Sequence, residues 1–175
     1  MDIFIQLTIS IIILLTAAWA MYQWMTLQQN IAQKPTHHNI LQTLQLVKIP
    51  AEQYANASEA IIEEQIIKTL QKKFNPIQRQ FSVSDNHRLK RERIDVDLAE
   101  GAFGIEIKLA KTLKDSNERH RLLGQIQLYQ KRRYHQKNLL VVIVGDEKMS
   151  QDPKIQELRN MIEANHCYFF YLFFQ

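Results

Sequence analysis

The chain has 175 residues, with 22 Lys and Arg against 18 Asp and Glu, a formal net charge of +4. That length accommodates one folded domain and an appendage, and so mild a positive excess does not by itself mark a nucleic-acid binder. A single cysteine, Cys167, excludes an intramolecular disulfide and a thiolate-rich zinc centre, in keeping with a reducing compartment, and the four glycines form no phosphate-cradling loop.

No side chain from Ile3 to Gln33 carries a charge. A helix of ~20 apolar residues, rising ~1.5 Å per residue, crosses the hydrocarbon layer of a bilayer. Residues 3–25 are therefore expected to form a transmembrane helix, within an anchor of residues 1–30. Trp19, Tyr22 and Trp24 gather near its C-terminal end, where amphipathic rings favour the interface. Two alternatives are a cleaved signal peptide and a buried core helix. Ala18-Trp19-Ala20 has the small-residue spacing of a cleavage site, but Met1-Asp2 supplies no basic start and the apolar run is long. Lys34 and Lys48 follow the span, and the positive-inside rule then puts the C-terminal domain of this single-pass protein in the cytoplasm.

Residues 31–55 are expected to be a linker with a short helix, opened near Asn39, running through Leu46 and closed by Pro50. His37 and His38 read as solvated linker residues. Asn56 and Glu59 resemble a capping box that opens a domain of residues 56–175 with a helix to about Phe74. In that helix Ala60, Glu63, Ile66, Ile67, Leu70 and Phe74 share one face, and Glu64, Lys68 and Lys72 point elsewhere. Alternation predicts strands over 78–84, 93–98 and 103–109, with turns at Asp85-Asn86 and Ala99–Ala102. A helix is expected over 116–134, and the apolar run 139–144 reads as a buried central strand. Asp152-Pro153 should open another helix to about Asn165, and the aromatic run 168–174 should be a core strand rather than an edge that touches lipid. The order αβββαβαβ implies an α/β fold with a mixed central sheet flanked by helices.

Within the second and third strands, Asp95 and Asp97 alternate with Ile94, Val96 and Leu98, and Glu106 and Lys108 alternate with Ile105, Ile107 and Leu109. A turn near Gly101 pairs the two strands antiparallel, so that Asp95, Glu106 and Lys108 converge. Two carboxylates can hold Mg²⁺ through oxygen, with waters completing the octahedron. The ion polarises a phosphoryl oxygen and acidifies a bound water, and a neighbouring ammonium orients that water. The competing interpretation is an amphipathic hairpin with a solvated charged face.

Ile94-Asp95, followed eleven positions later by Glu106-Ile107-Lys108, resembles the PD-(D/E)xK nuclease superfamily, whose element order is helix, three strands, helix, strand. Gln125-Ile126-Gln127-Leu128-Tyr129 resembles the QxxxY motif of its RecB-like branch. The resemblance covers about residues 56–145, and Ile94 stands where the family motif has proline. It implies a restriction-endonuclease-like fold and a Mg²⁺-dependent nuclease, with Mn²⁺ as a substitute ion, acting on DNA in restriction of foreign DNA or in repair. Asp95 and Glu106 would be metal ligands, with Asp97 as a substitute for Asp95. Lys108 would assist the water, Glu63 would be the outer acid of the first helix, and Gln125 and Tyr129 would border the site. The alternative from another class is a catalytically inactive relative, a binding module at the membrane.

Two basic runs flank this core, and Arg88, Lys90, Arg91, Lys111, Arg119, Arg132 and Arg133 are candidates for neutralising phosphates. Lys131 to Lys137 also complement the dipole at a helix C-terminus. His87, His120, His135 and His166 have no metal-ligand spacing, and Cys167 before an apolar strand reads as structural.

Overall fold

The computed structural model describes residues 13–23, 34–52, 58–83, 92–135 and 138–174. The chain divides into two units, Met1–Gln33 and Lys34–Gln175. In the first, residues 13–23 are helical and expose Ile13, Leu14, Leu15, Trp19, Met21 and Tyr22. The Thr16 hydroxyl donates to Ile13 O at 2.9 Å, which satisfies its polarity within the helix. Residues 3–12 and 24–25 of the expected membrane span lie outside the described residues. Among the described residues no helix is long and apolar enough to cross a membrane.

The second unit is an α/β fold around one five-stranded mixed sheet, with strands in the order β1-β2-β3-β4-β5. Its elements are α1 (His37–Leu44), α2 (Glu59–Leu70), β1 (Ile77–Ser82), β2 (Arg93–Leu98), β3 (Phe103–Leu109), a 3-10 turn (Thr112–Lys114), α3 (Ser116–Arg132), β4 (Leu139–Gly145), α4 (Glu147–Ser150), α5 (Pro153–Ala164) and β5 (Tyr168–Phe173). β1, β2 and β3 pair antiparallel in succession, while β4 lies parallel to β3 and β5 parallel to β4. Parallel neighbours need crossovers, which α3 and α5 provide. The helix starts follow side-chain chemistry: Asp115 accepts from Asn117 N at 2.9 Å, and Asp152 accepts from Lys154 N at 2.9 Å with Pro153 in the first turn.

Each face of the sheet carries its own core. On one, Ile62, Ile66 and Leu70 of α2 pack with Ile40 and Leu44 of α1 against Val96, Leu98, Ile105, Ile107, Leu140 and Val142. On the other, Leu122, Ile126 and Tyr129 of α3 and Ile155, Leu158 and Ile162 of α5 cover Ile94, Leu139, Val141 and Ile143. β5 closes one edge and sends Tyr168, Phe170 and Leu172 to the first core and Phe169 and Tyr171 to the second.

Several sequence expectations need correction. The segment read as a linker is part of the fold: Ile40, Leu44 and Ile49 are fully buried, and burial of such side chains is worth roughly 1.5–3 kcal/mol each. Thr36, not Asn39, caps α1, and the His37 ring stacks on Tyr168 at 3.4 Å between centroids, so His37 is not a free linker residue. Burial, then the neighbouring His38, lowers the His37 pKa. The helix α2 begins after Ser58 and ends at Leu70, its buried face includes Ile62, and Ala60 is exposed. Asn56 and the Asp85-Asn86 turn lie outside the described residues. Ile94 does not share a core with Val96 and Leu98, because β2 changes face between them.

Candidate active site

The face change in β2 is matched in β1. Ile77 packs against the first core and Phe81 against the second. The ladder runs Ile77↔Leu98, Gln78↔Asp97 and Arg79↔Val96, then resumes at Phe81↔Ile94, so Gln80 and Asp95 form no registered pair. Gln80 has φ 49, a left-handed conformation unusual outside glycine. On the other side of β2 the pairing with β3 ends at Val96↔Ile105. The two strands splay from that point, and the Asp95 carboxylate enters the opening: its Oδ2 accepts from Ile107 N at 2.7 Å.

The opening collects the charged residues. Lys108 Nζ lies 2.9 Å from Glu106 Oε1, 3.5 Å from Glu59 Oε2 and 3.9 Å from Asp95 Oδ2, and donates to Ile107 O at 3.1 Å. Glu63, only 5% exposed on the apolar face of α2, accepts from Arg79 Nε at 2.8 Å and from Gln80 Nε2 at 3.0 Å. The same Gln80 Nε2 donates to Asp95 Oδ1 at 2.9 Å. Gln125 Nε2 lies 3.4 Å from the Tyr129 hydroxyl, which donates to Arg93 O at 2.6 Å and so ties α3 to the start of β2.

Glu106 is 1% exposed and Lys108 4%. An amphipathic hairpin with a solvated charged face is therefore excluded: β3 is buried along its whole length. Burial, and then the neighbouring Asp95 carboxylate, pushes the Glu106 pKa up to about 8 against the pull of Lys108. Burial likewise raises Asp95, against Lys108 and the Ile107 N–H. For Lys108, burial works against the charge, yet Glu106, Asp95 and Glu59 hold its pKa above the ordinary lysine value. Burial and then Glu106 raise the Tyr129 phenol, which keeps it protonated. Carboxyl groups are crowded together where water cannot screen them, an arrangement typical of functional sites.

No family model, curated protein or solved structure matches the chain.

The donor set fits a hard divalent cation. Glu106 Oε2 is buried with no hydrogen-bond partner, so a strong acceptor is left for a further cation. Asp95 and the Ile107 carbonyl add oxygens at the same opening, where the Lys108 ammonium already sits among them. Among the described residues no group of three or more His, Cys, Asp or Glu side chains could hold a metal by itself. Two carboxylates suit Mg²⁺, which retains several waters, better than zinc.

Asp97 does not belong to this constellation. It is fully buried, accepts a short hydrogen bond from the Tyr134 hydroxyl and lies 3.4 Å from the Arg133 guanidinium. Gly104, its partner in β3, makes room for the Tyr134 ring, since a Cβ there would meet Tyr134 at 2.9 Å. The Asp97 carboxylate is thus engaged by Tyr134 and Arg133, whereas Asp95 is the aspartate beside Lys108. Glu59 joins the site through Lys108, a contact the helix pattern did not disclose because Glu63 alone lies on the apolar face. Glu64 pairs with Lys68 on the outer surface at 2.7 Å.

Several candidate phosphate ligands have other partners. Arg133 packs over the Phe81 ring at 4.2 Å besides holding Asp97, and Arg132 pairs with Glu92. Arg119 donates to Leu113 O and Lys114 O at 2.7 and 2.9 Å, which closes the 3-10 turn. Lys111 follows β3 and is exposed. Arg88, Lys90 and Arg91 lie outside the described residues. Cys167 is buried, receives a contact from Gln130 Nε2 at 3.1 Å, and has a thiol pushed up to about 12 by burial, in line with a structural role.

Proposed function

We propose that this chain is a Mg²⁺-dependent nuclease of the PD-(D/E)xK type, with a restriction-endonuclease-like fold, acting on DNA at a membrane to which its N-terminal segment anchors it. The observation that carries the reading is the burial of Glu106 and Lys108 beside the part-buried Asp95 carboxylate at the splayed end of the β2–β3 hairpin. Stability does not explain such an arrangement, since taking these charges out of water costs several kcal/mol per ion before their mutual attraction is counted. The strand order, with three antiparallel strands, a helix and a parallel fourth strand, agrees with the same reading.

In this reading Asp95 and Glu106 would hold Mg²⁺, or Mn²⁺ in its place. When bound, the ion supplies polarisation of a phosphoryl oxygen and a water acidic enough to act as nucleophile near neutral pH. Lys108, kept charged by Glu106, Asp95 and Glu59, would offer its ammonium to an attacking water and to charge building on the phosphate. Glu59 holds Lys108 from the α2 side and lets it stay beside the carboxylates. Tyr129 keeps β2 in place through Arg93 O, and Gln125 supports the Tyr129 hydroxyl at the rim. The exposed apolar helix of residues 13–23 and the uncharged run around it support the anchor, and Lys34 and Lys48 a cytoplasmic domain.

The purified full chain in detergent should degrade plasmid or linear DNA with Mg²⁺ and not with EDTA. Asp95→Asn and Glu106→Gln should each lower the rate by ~10²-fold or more. Normal cleavage by both variants would remove the assignment, and absence of cleavage with any metal or nucleic acid would leave an inactive binding module.

A further inference from the structure

Asp95 occupies an unusual place for a metal ligand on a strand. Neither ladder gives it a registered Cα partner: β1 skips it at Gln80, and β3 has already diverged beyond Ile105. Backbone pairing ordinarily fixes which way a strand side chain points. Here the orientation of the carboxylate is left to its own two hydrogen bonds, one from Ile107 N to Oδ2 and one from Gln80 Nε2 to Oδ1.

The Gln80 contribution is costly to maintain. Its φ of 49 places a residue with a Cβ in the left-handed region, which is less favourable than an ordinary strand conformation. The side chain is exposed, so apolar burial does not offset that strain. What the conformation achieves is a bridge: one amide nitrogen reaches Glu63 Oε2 at 3.0 Å and Asp95 Oδ1 at 2.9 Å. Both partners are carboxylates, which accept only, so the nitrogen end of the amide must face them. Its two N–H groups meet two acceptors. Glu63 is itself held by Arg79 Nε at 2.8 Å, so the chain of contacts runs from α2 through Gln80 to Asp95.

We infer that Gln80 is a positioning residue for the metal site, orienting the Asp95 carboxylate for a divalent cation through an amide bridge to Glu63. The inference rests on the nuclease reading of the hairpin. Gln80 acts through Asp95 and touches neither the ion nor the substrate. Partners of this kind typically change metal affinity by about 10- to 100-fold when removed. Strain kept for positioning also gives a signature that a purely structural residue lacks. Gln80→Gly removes the amide bridge and relieves the left-handed backbone, so it should weaken metal binding without lowering stability. Gln80→Glu keeps the length of the side chain but sets a third carboxylate against Asp95 and Glu63, and should lower stability at neutral pH.

The test is direct Mn²⁺ binding, by electron paramagnetic resonance and calorimetry, to the full chain in detergent, with urea unfolding measured on the same samples. Gln80→Gly should raise the Mn²⁺ Kd by about tenfold or more and leave the urea midpoint equal or higher. Asp95→Asn, the control, should abolish specific binding. An unchanged Kd in Gln80→Gly, with Asp95→Asn defective, would overturn the positioning role alone. A parallel fall of affinity and stability would overturn it too, in favour of a merely structural residue. Wild-type protein that binds no Mn²⁺ would overturn the metal reading of the hairpin, and this inference with it.

Discussion

Glu106→Gln exchanges a buried carboxyl for an amide of the same shape, beside Asp95 and Lys108. In the folded chain the carboxyl is pushed up to about 8, from an ordinary value of 4.5, by burial and then by Asp95. The sign follows from where the proton resides. Between those two values the folded protein holds a proton that the unfolded chain has released, so the associated stability is complete below 4.5 and lost as pH rises through about 8. At ~1.4 kcal/mol per pH unit the interval amounts to roughly 5 kcal/mol at most. Near pH 5 the wild type carries a neutral acid, and glutamine, also neutral and still able to accept from Lys108, should match it. At about pH 9 the wild type bears the full penalty of a buried second carboxylate, and Glu106→Gln should be the more stable by ~2 kcal/mol or more. Urea unfolding followed by circular dichroism, in detergent and EDTA at several pH values, measures the difference. The same substitution should remove the proposed Mg²⁺-dependent hydrolysis, so stability and activity should move in opposite directions. A stability difference that does not change with pH, or a variant less stable than wild type at pH 9, would show that burial does not hold the Glu106 carboxyl protonated.

Other substitutions should separate the acids proposed for catalysis from those held in structural contacts. Asp97→Asn should lose about 1–3 kcal/mol, because it weakens a buried charge-assisted contact to Arg133, while the remaining folded protein cleaves DNA at the wild-type rate; urea unfolding and cleavage assays check the two halves. Glu64→Gln, on the exposed side of α2, should be nearly silent, whereas Glu59→Gln and Glu63→Gln should each slow cleavage, the first through Lys108 and the second through Gln80. Lys108→Ala should both stop hydrolysis and destabilise the fold, since it leaves Glu106 and Asp95 facing each other without a counter-charge, whereas Lys108→Arg should retain stability better. The full-length protein should sediment with membranes and resist carbonate extraction, and a reporter fused after Gln175 should behave as cytoplasmic; recovery in the soluble fraction without detergent would argue against the anchor.

Local pattern was enough for most elements of the domain. Alternation over 93–98 and 103–109, the apolar run over 139–144, and the Asp152-Pro153 start of α5 depend on neighbours along the chain, and those segments are where the structure has them. The spacing of Asp95, Glu106 and Lys108 was equally legible, because a tight turn leaves an antiparallel hairpin little choice of partner. Period alone could not separate Asp95 from Asp97, since both occupy the same parity on β2. Only the tertiary structure divided them: Tyr134, thirty-seven positions away, claims Asp97, and the splay from β3 frees Asp95. The left-handed Gln80, the reach of Glu59 to Lys108 and the burial of Ile40 and Leu44 likewise depend on contacts between distant segments. A strand pattern specifies which side chains share a face, but what lies over that face, and where a ladder opens, is decided when the sheet and its helices pack.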